Sequence, residues 1–297
     1  MSASCYFVTG AAGFVGRHLC RRLRAGGHRV LGLVRRDDTG LETLGVEVVR
    51  GDLSVAGPWQ ETVSGADYVI HCAAHASFAA GPAKAAINVE GTRQLLDAVQ
   101  RAGRPPRRLV FVSTIGAVDR APGDPCAAPL DEASLPMPTS AYGRSKLAAE
   151  QLVRAAGVPW CIVRPAMVVG GDMRPESHFA VFVRLALRRA VSARFAWPGA
   201  FSVVHVVDLA AALELCASHP GAASGTYFCA GSPLTVHESF DLARPGTLRL
   251  PMAWLAPVVR VLPPLFPFKL KALLLPALTA SDAPLRALGW APRQAPA

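Results

Sequence analysis

The sequence predicts an α/β fold, a doubly wound parallel sheet with a smaller C-terminal lobe. Three observations carry that expectation. Short apolar runs alternate with helical stretches through the first 165 residues. This is the rhythm of βαβ units, whose crossover helices cover both faces of a parallel sheet. A glycine-rich turn, Thr9-Gly10-Ala11-Ala12-Gly13-Phe14-Val15-Gly16, separates the first apolar run from the first helical one. The composition supports a large core: of 297 residues, 51% are hydrophobic and 18% charged, the balance of a globular chain and not of a disordered one.

Taken in order, strands are expected over residues 5–8, 30–34, 46–49, 68–72, 109–113 and 160–163, with helices over 14–25, 83–102 and 140–156. After residue 165 the rhythm loosens. A helix is expected over 177–191, a strand over 201–206, a helix over 209–217 capped by Asp208, and a strand over 226–229. From Pro233 onward the chain is rich in proline and apolar residues, with short helices at best. No Gly/Ser-rich run serves as a flexible linker, and no repeat at a solenoid period occurs. The expected division is therefore a dinucleotide-binding region over 1–165, joined by returning segments near 201–230, and a mainly substrate-binding lobe over 166–297.

Several function classes are disfavoured. The seven cysteines are scattered and include no Cys-x-x-Cys pair. They suit buried reduced thiols in a cytoplasmic protein better than a disulfide framework or a zinc site, so no metal is expected. The N-terminus reads as a first strand and not as a signal peptide. The most apolar stretch, 250–278, is broken by Arg260, Lys269, Lys271 and six prolines, so no membrane span is expected. A net charge of +10 invites a nucleic-acid reading. The basic residues are dispersed, however, without interleaved aromatics, and Arg17, Arg21 and Arg24 share one helix face, where a solvated surface is the commoner explanation. The charge better suits attraction of an anionic cofactor or small-molecule substrate.

The chemistry-bearing motifs sit at strand ends. Gly10 permits a tight turn, Gly13 lets backbone approach a pyrophosphate, and Gly16 allows close helix–strand packing. The helix opening at Phe14 and Val15 then offers free N–H groups to the phosphate. Arg35, at the end of the second strand, suits the 2′-phosphate of NADP(H), which is favoured. Asp37 and Asp38 follow at once and keep NAD(H) open. In Gly51-Asp52-Leu53, Asp52 is placed to accept from an adenine amino group. His71-Cys72-Ala73-Ala74 has small residues across which a cofactor can lie. Ser113 and Thr114 set hydroxyls at the carboxyl edge of the fifth strand, though alone such a pair is more often a turn feature. Tyr142 and Lys146 lie one helical turn apart, on one face. An ammonium beside a phenol favours the phenolate, so the tyrosine pKa is expected to fall toward working pH. Such a tyrosine is a general acid–base for an alcohol oxygen.

These residues, in this order, resemble the extended short-chain dehydrogenase/reductase superfamily, in its epimerase/dehydratase branch. Gly10/Gly13/Gly16, Gly51-Asp52-Leu53, His71-Cys72-Ala73-Ala74, Asn88-Val89-Glu90-Gly91-Thr92, Val112-Ser113-Thr114, Tyr142 with Lys146, and Arg164-Pro165 all match its pattern in register. Val204-His205-Val206-Val207-Asp208-Leu209-Ala210 and Leu288-Gly289-Trp290 are similar to it further on. The resemblance implies a Rossmann fold and a catalytic set of Thr114, Tyr142 and Lys146, with Asn88 supporting the site. It also implies that Lys146 binds the nicotinamide ribose, that Pro165 lies near the nicotinamide, and that hydride moves at the nicotinamide while Tyr142 manages the proton. A homodimer through a helix pair that includes the Tyr142 helix is a further implication. Members that act on nucleotide sugars often carry an arginine shortly before the strand corresponding to 203–206. Here Trp197-Pro198-Gly199-Ala200-Phe201-Ser202 has none; Arg194 is nearest, with Arg184, Arg188 and Arg189 upstream. The apolar lobe residues Trp254, Leu255, Leu262, Leu265, Phe266, Phe268, Leu273 and Leu274 would suit a lipophilic substrate. The expectation is an NADPH-dependent reductase of a lipophilic or polyketide-like ketone or aldehyde. The alternative is a nucleotide-sugar epimerase, dehydratase or 4-ketoreductase.

Overall fold

Each apolar run of the first half sends alternate residues to opposite sides, and the two sides become two cores. In β1 (Cys5–Thr9), Tyr6 and Val8 belong to one core and Phe7 to the other, the period of two that a strand imposes. The structure, a computed structural model, describes residues 3–36, 39–76, 81–120, 124, 128–173, 179, 194–241, 249–262 and 273–295.

The first half then runs α1 (Phe14–Ala25), β2 (Arg29–Val34), the short α2 (Thr39–Thr43), β3 (Glu47–Arg50), β4 (Tyr68–His71), α3 (Pro82–Arg101), β5 (Arg108–Val112), α4 (Ala141–Ala155) and β6 (Trp160–Pro165). There follow β7 (Met167–Val169), β8 (Phe195–Ala196), β9 (Ala200–His205), α5 (Val206–Ser218), β10 (Gly225–Cys229), β11 (Ser232–Thr235), α6 (Val236–Asp241), β12 (Leu250–Pro251), α7 (Ala256–Val261) and α8 (Ala283–Ala287). The main sheet has seven strands in the order β10-β6-β5-β4-β1-β2-β3, and every pair in it is parallel.

Helices cover both faces, as a parallel sheet requires. On one side, Leu19 and Leu23 of α1 and Leu209 and Leu213 of α5 pack on Val8, Ile70 and Val163. On the other, Leu95 and Val99 of α3 and Ala149 and Val153 of α4 pack on Phe7, Phe111 and Ile162. Each fully buried leucine contributes roughly 1.5–3 kcal/mol of transfer free energy. Of the three arginines expected on a solvated face of α1, Arg21 is exposed, whereas Arg17 and Arg24 are half-buried and Arg24 donates to the His28 carbonyl. The six described cysteines carry free thiols, and five of them are buried.

The C-terminal half contributes to both parts of the molecule. α5 and β10 join the main body, whereas β11-β9-β7 and β12-β8 form small separate sheets around a third core built on Trp197, Phe201, Leu234, Phe240 and Leu275. The helix expected over 177–191 lies outside the described residues, apart from the buried Phe179. One cap differs from expectation. α5 begins three residues early because the His205 side chain caps it, accepting from the Val207 N–H. Asp208 lies inside the first turn; its carboxylate accepts from Gln294 N–H and its carbonyl from the Trp290 indole.

Candidate active site

The sheet order reverses direction between β1 and β4, so a crevice opens at their carboxyl ends. Gly10 follows β1 with φ +66°, and a Cβ there would lie 2.8 Å from the Cα and N of Ala73. Gly16 packs so closely on the same turn that its Cβ would lie 2.1 Å from the Gly10 carbonyl oxygen. Only glycine satisfies either position. The N-cap of α1 is Gly13, with no side-chain cap and no acid in the first turn. The helix therefore presents uncapped N–H groups and its positive dipole end toward an anion. Phe14 sets its ring edge-on to His18, 5.6 Å between centroids, and half-buried Val15 packs on the core.

A cleft of about 390 Å³ lies along this edge, lined by Gly10, Gly13, Arg35, Asp52, Leu53, Ala73, Ala74 and Asn88 among others. Arg35 stands exposed at the end of β2. The Asp52 carboxylate accepts from the Ser54 N–H and hydroxyl, both at 2.8 Å, and these bonds hold it below the usual carboxylate range, with a smaller pull from Arg35. Asp37 and Asp38 lie outside the described residues.

The remaining predicted residues gather at the ends of β5 and β6 and in the first turns of α4. α4 starts at Ser140, whose hydroxyl accepts from Gly143 N–H. At Gly143 a Cβ would lie 2.1 Å from the Gly116 carbonyl oxygen. Glycine thus lets the helix carrying Tyr142 and Lys146 touch the 3-10 turn Ile115–Ala117, whose N-cap is Thr114. The Thr114 hydroxyl accepts from Gly116 N–H at 3.2 Å and keeps its own proton to donate. Asn88 joins α3 to this site: its amide donates to the Ser145 hydroxyl at 3.0 Å and its oxygen accepts from His75 N–H at 2.7 Å. Ser145 in turn donates to the Tyr142 carbonyl. Pro165, which closes β6, is buried.

The expected depression of the tyrosine pKa is corrected by the structure. Burial pushes the Tyr142 phenol above its ordinary value. The same burial brings Lys146 down to about 7, although Glu150 one turn on favours the ammonium. Desolvation disfavours the charged form of each group. The Lys146 Nζ lies 3.9 Å from the Phe111 ring centroid, a cation–π contact.

Two buried polar systems around this set were not foreseen. Glu150 accepts from the Ser113 hydroxyl at 2.5 Å and from Arg164 through two bonds, at 2.9 and 2.7 Å. One carboxylate thereby ties α4 to the ends of β5 and β6, beside Thr114 and Pro165. The second system centres on His71, which burial and Lys146 bring down to about 3, so the ring is neutral. The Thr92 hydroxyl donates to the Asn88 carbonyl, so it accepts from His71 Nε2 at 3.1 Å. Thr9 then donates to His71 Nδ1 at 2.6 Å and accepts from Ala73 N–H. A single tautomer satisfies the whole chain, from the glycine turn to Asn88.

The apolar lobe residues divide. Leu274 is buried, Leu255 and Leu273 pack partly into the third core, and Trp254 and Leu262 are exposed; Leu265, Phe266 and Phe268 lie outside the described residues. Arg194 is exposed beside β8, and Arg184, Arg188 and Arg189 also lie outside the described residues.

Residues 6–230 match the model of the NAD dependent epimerase/dehydratase family. The chain is 33% identical over 244 residues to sterol demethylase protein B of Methylococcus capsulatus, covering 78% of this chain and 71% of that protein. It is also 33% identical over 242 residues to ceramide reductase of Caulobacter vibrioides, covering 80% and 65% respectively. The matched segment thus spans about two thirds of the length of these relatives. In structure it resembles UDP-glucose 4-epimerase of Thermotoga maritima, with a TM-score of 0.73 at 22% identity, over 98% of this chain and 94% of that one; at that identity the likeness speaks to the fold.

Proposed function

The chain belongs to the NAD-dependent epimerase/dehydratase family, and from that premise we propose that it is an NADPH-dependent reductase of a lipophilic ketone or aldehyde. The observation that carries the reading is the backbone contact of Gly143 with Gly116, which sets Tyr142, Lys146 and Thr114 at one sheet edge. That edge adjoins a cleft with the glycine turn and uncapped helix a dinucleotide needs. The residues fit such a cofactor: Gly10, Gly13 and the α1 N-terminus would hold the pyrophosphate, Asp52 would accept from the adenine amino group, and Arg35 would pair with the 2′-phosphate. Bound NADPH supplies the hydride. Tyr142 delivers the proton to the carbonyl oxygen, Thr114 donates to that oxygen, and Lys146 holds the nicotinamide ribose and steadies the tyrosine.

Names among the relatives, one a ceramide reductase and one a sterol demethylase protein, support a lipophilic substrate. The lobe outside the main sheet is the part placed to bind it. Cytoplasmic location and a homodimer through the α3/α4 pair complete the reading. Purification separates it from a nucleotide-sugar epimerase. A reductase emerges without tightly held NAD and binds NADPH in titration; an epimerase emerges with NAD bound and does not prefer NADPH. Tyr142→Phe should abolish turnover with NADPH affinity nearly unchanged. Full activity in that variant would sink the mechanism.

A further inference from the structure

Among the described residues, one apolar face of the C-terminal lobe lines neither the cleft nor a core. Trp254 is 69% exposed, Val258 46%, Val261 76% and Leu262 45%. Their spacing is i, i+4, i+7 and i+8 through the 3-10 turn Ala253–Leu255 and the contiguous α7, which places them on one side. Val259, on the other side of α7, is fully buried in the lobe core. Leu250, 65% exposed, stands on the neighbouring β12, which pairs with β8.

Among the described residues over 249–262 there are two bases, Arg249 and Arg260, and no Asp or Glu; the Arg249 side chain is buried in its pair with Asp241. Arg260 is exposed on α7 itself, and Arg194 is exposed where the chain enters β8. The acids nearest in the chain are engaged: Asp241 pairs with Arg249, and Glu238 accepts from the Thr235 N–H and hydroxyl.

We propose that this face seats the protein on an anionic lipid surface. Exposed aliphatic side chains with an indole among them enter the headgroup boundary, and the exposed Arg260 and Arg194 meet the negative surface potential. No helix among the described residues is long and apolar enough to cross a membrane, so the attachment is peripheral. A second copy of the chain is a poorer occupant. A two-fold contact lays the patch on itself, so each copy would bring its Arg260 into the contact and neither α7 would bring an acid. The inference is independent of the reductase reading.

Flotation with vesicles tests it, using phosphatidylcholine alone and an equal mixture of phosphatidylcholine and phosphatidylglycerol. The wild type should rise with the mixed vesicles and stay down with phosphatidylcholine alone. The triple variant Trp254→Ser, Val258→Gln, Val261→Gln should lose flotation while keeping the wild-type circular dichroism and urea midpoint. Arg260→Glu should weaken partitioning about tenfold, and it carries the test if the triple variant does not fold. Three results overturn the proposal. One is a wild type that rises with neither vesicle, or equally with both. Another is a folded triple variant that rises as the wild type does. The third is a wild-type dimer, indifferent to vesicles, that the triple variant splits, which would give the face to a second copy.

Discussion

At the scale of residues, His71 shows how burial turns an ordinary strand-end side chain into a fixed part. Its neutral ring links Thr9 to Thr92 and on to Asn88. The folded-state value of about 3 lies below the ordinary 6.5. The unfolded chain therefore takes up a proton below pH 6.5 that the native protein refuses, and stability present above that pH is lost as pH falls. The loss should approach about 1.4 kcal/mol per pH unit. Urea midpoints between pH 6.5 and 5 should fall in the wild type and fall less steeply in His71→Gln. Lys146, at about 7 against 10.5, adds a slope of the same sign above neutrality. Arg35 makes a different prediction. Because it is exposed, the proposed pairing with a 2′-phosphate would be worth about 1.4 kcal/mol, or tenfold. Arg35→Ala should lower kcat/KM for NADPH about tenfold and leave NADH unchanged; an unaltered cofactor ratio would overturn the NADP assignment.

At the scale of elements, the Glu150–Arg164 pair joins α4 to β6 while Ser113 joins the same carboxylate to β5. Glu150→Ala strands a guanidinium that is only 3% exposed and should cost about 3–5 kcal/mol in urea denaturation. The double variant Glu150→Leu, Arg164→Met should lose less than either single change, because neither the carboxylate nor the guanidinium of the pair is left without the other. The strands and the long helices were legible because their signals are local: periodicity, and small residues at strand ends. Glu150 was not legible, since its hydrogen-bond partners Ser113 and Arg164 lie 37 and 14 residues away, and the i,i+4 pair it makes with Arg154 reads as an ordinary surface pair. The cap of α5 failed for the same reason. Asp208 has the residue type of a cap, yet the C-terminal tail claims it through Gln294 and Trp290. The lobe was least readable, because its described elements are two to six residues long and are defined by packing more than by pattern.

At the scale of the whole molecule, a charge of +10 with Arg35 at the cleft favours capture of an anionic cofactor. Raising salt from about 0.05 to about 0.5 M should raise the KM for NADPH several-fold while kcat holds, as screening shortens the reach of that field. A KM indifferent to salt would confine recognition to short-range contacts. The sheet order carries a different consequence, for how the chain is made. β10 completes the main sheet against β6, yet some 60 residues separate Pro165 from Gly225. At roughly 5–20 residues per second of synthesis, the outer edge of β6 waits about 3–12 s on the ribosome for its partner. Throughout that interval the nascent chain presents a bare, apolar strand edge to the cell, and it is there that a chaperone would be expected to bind.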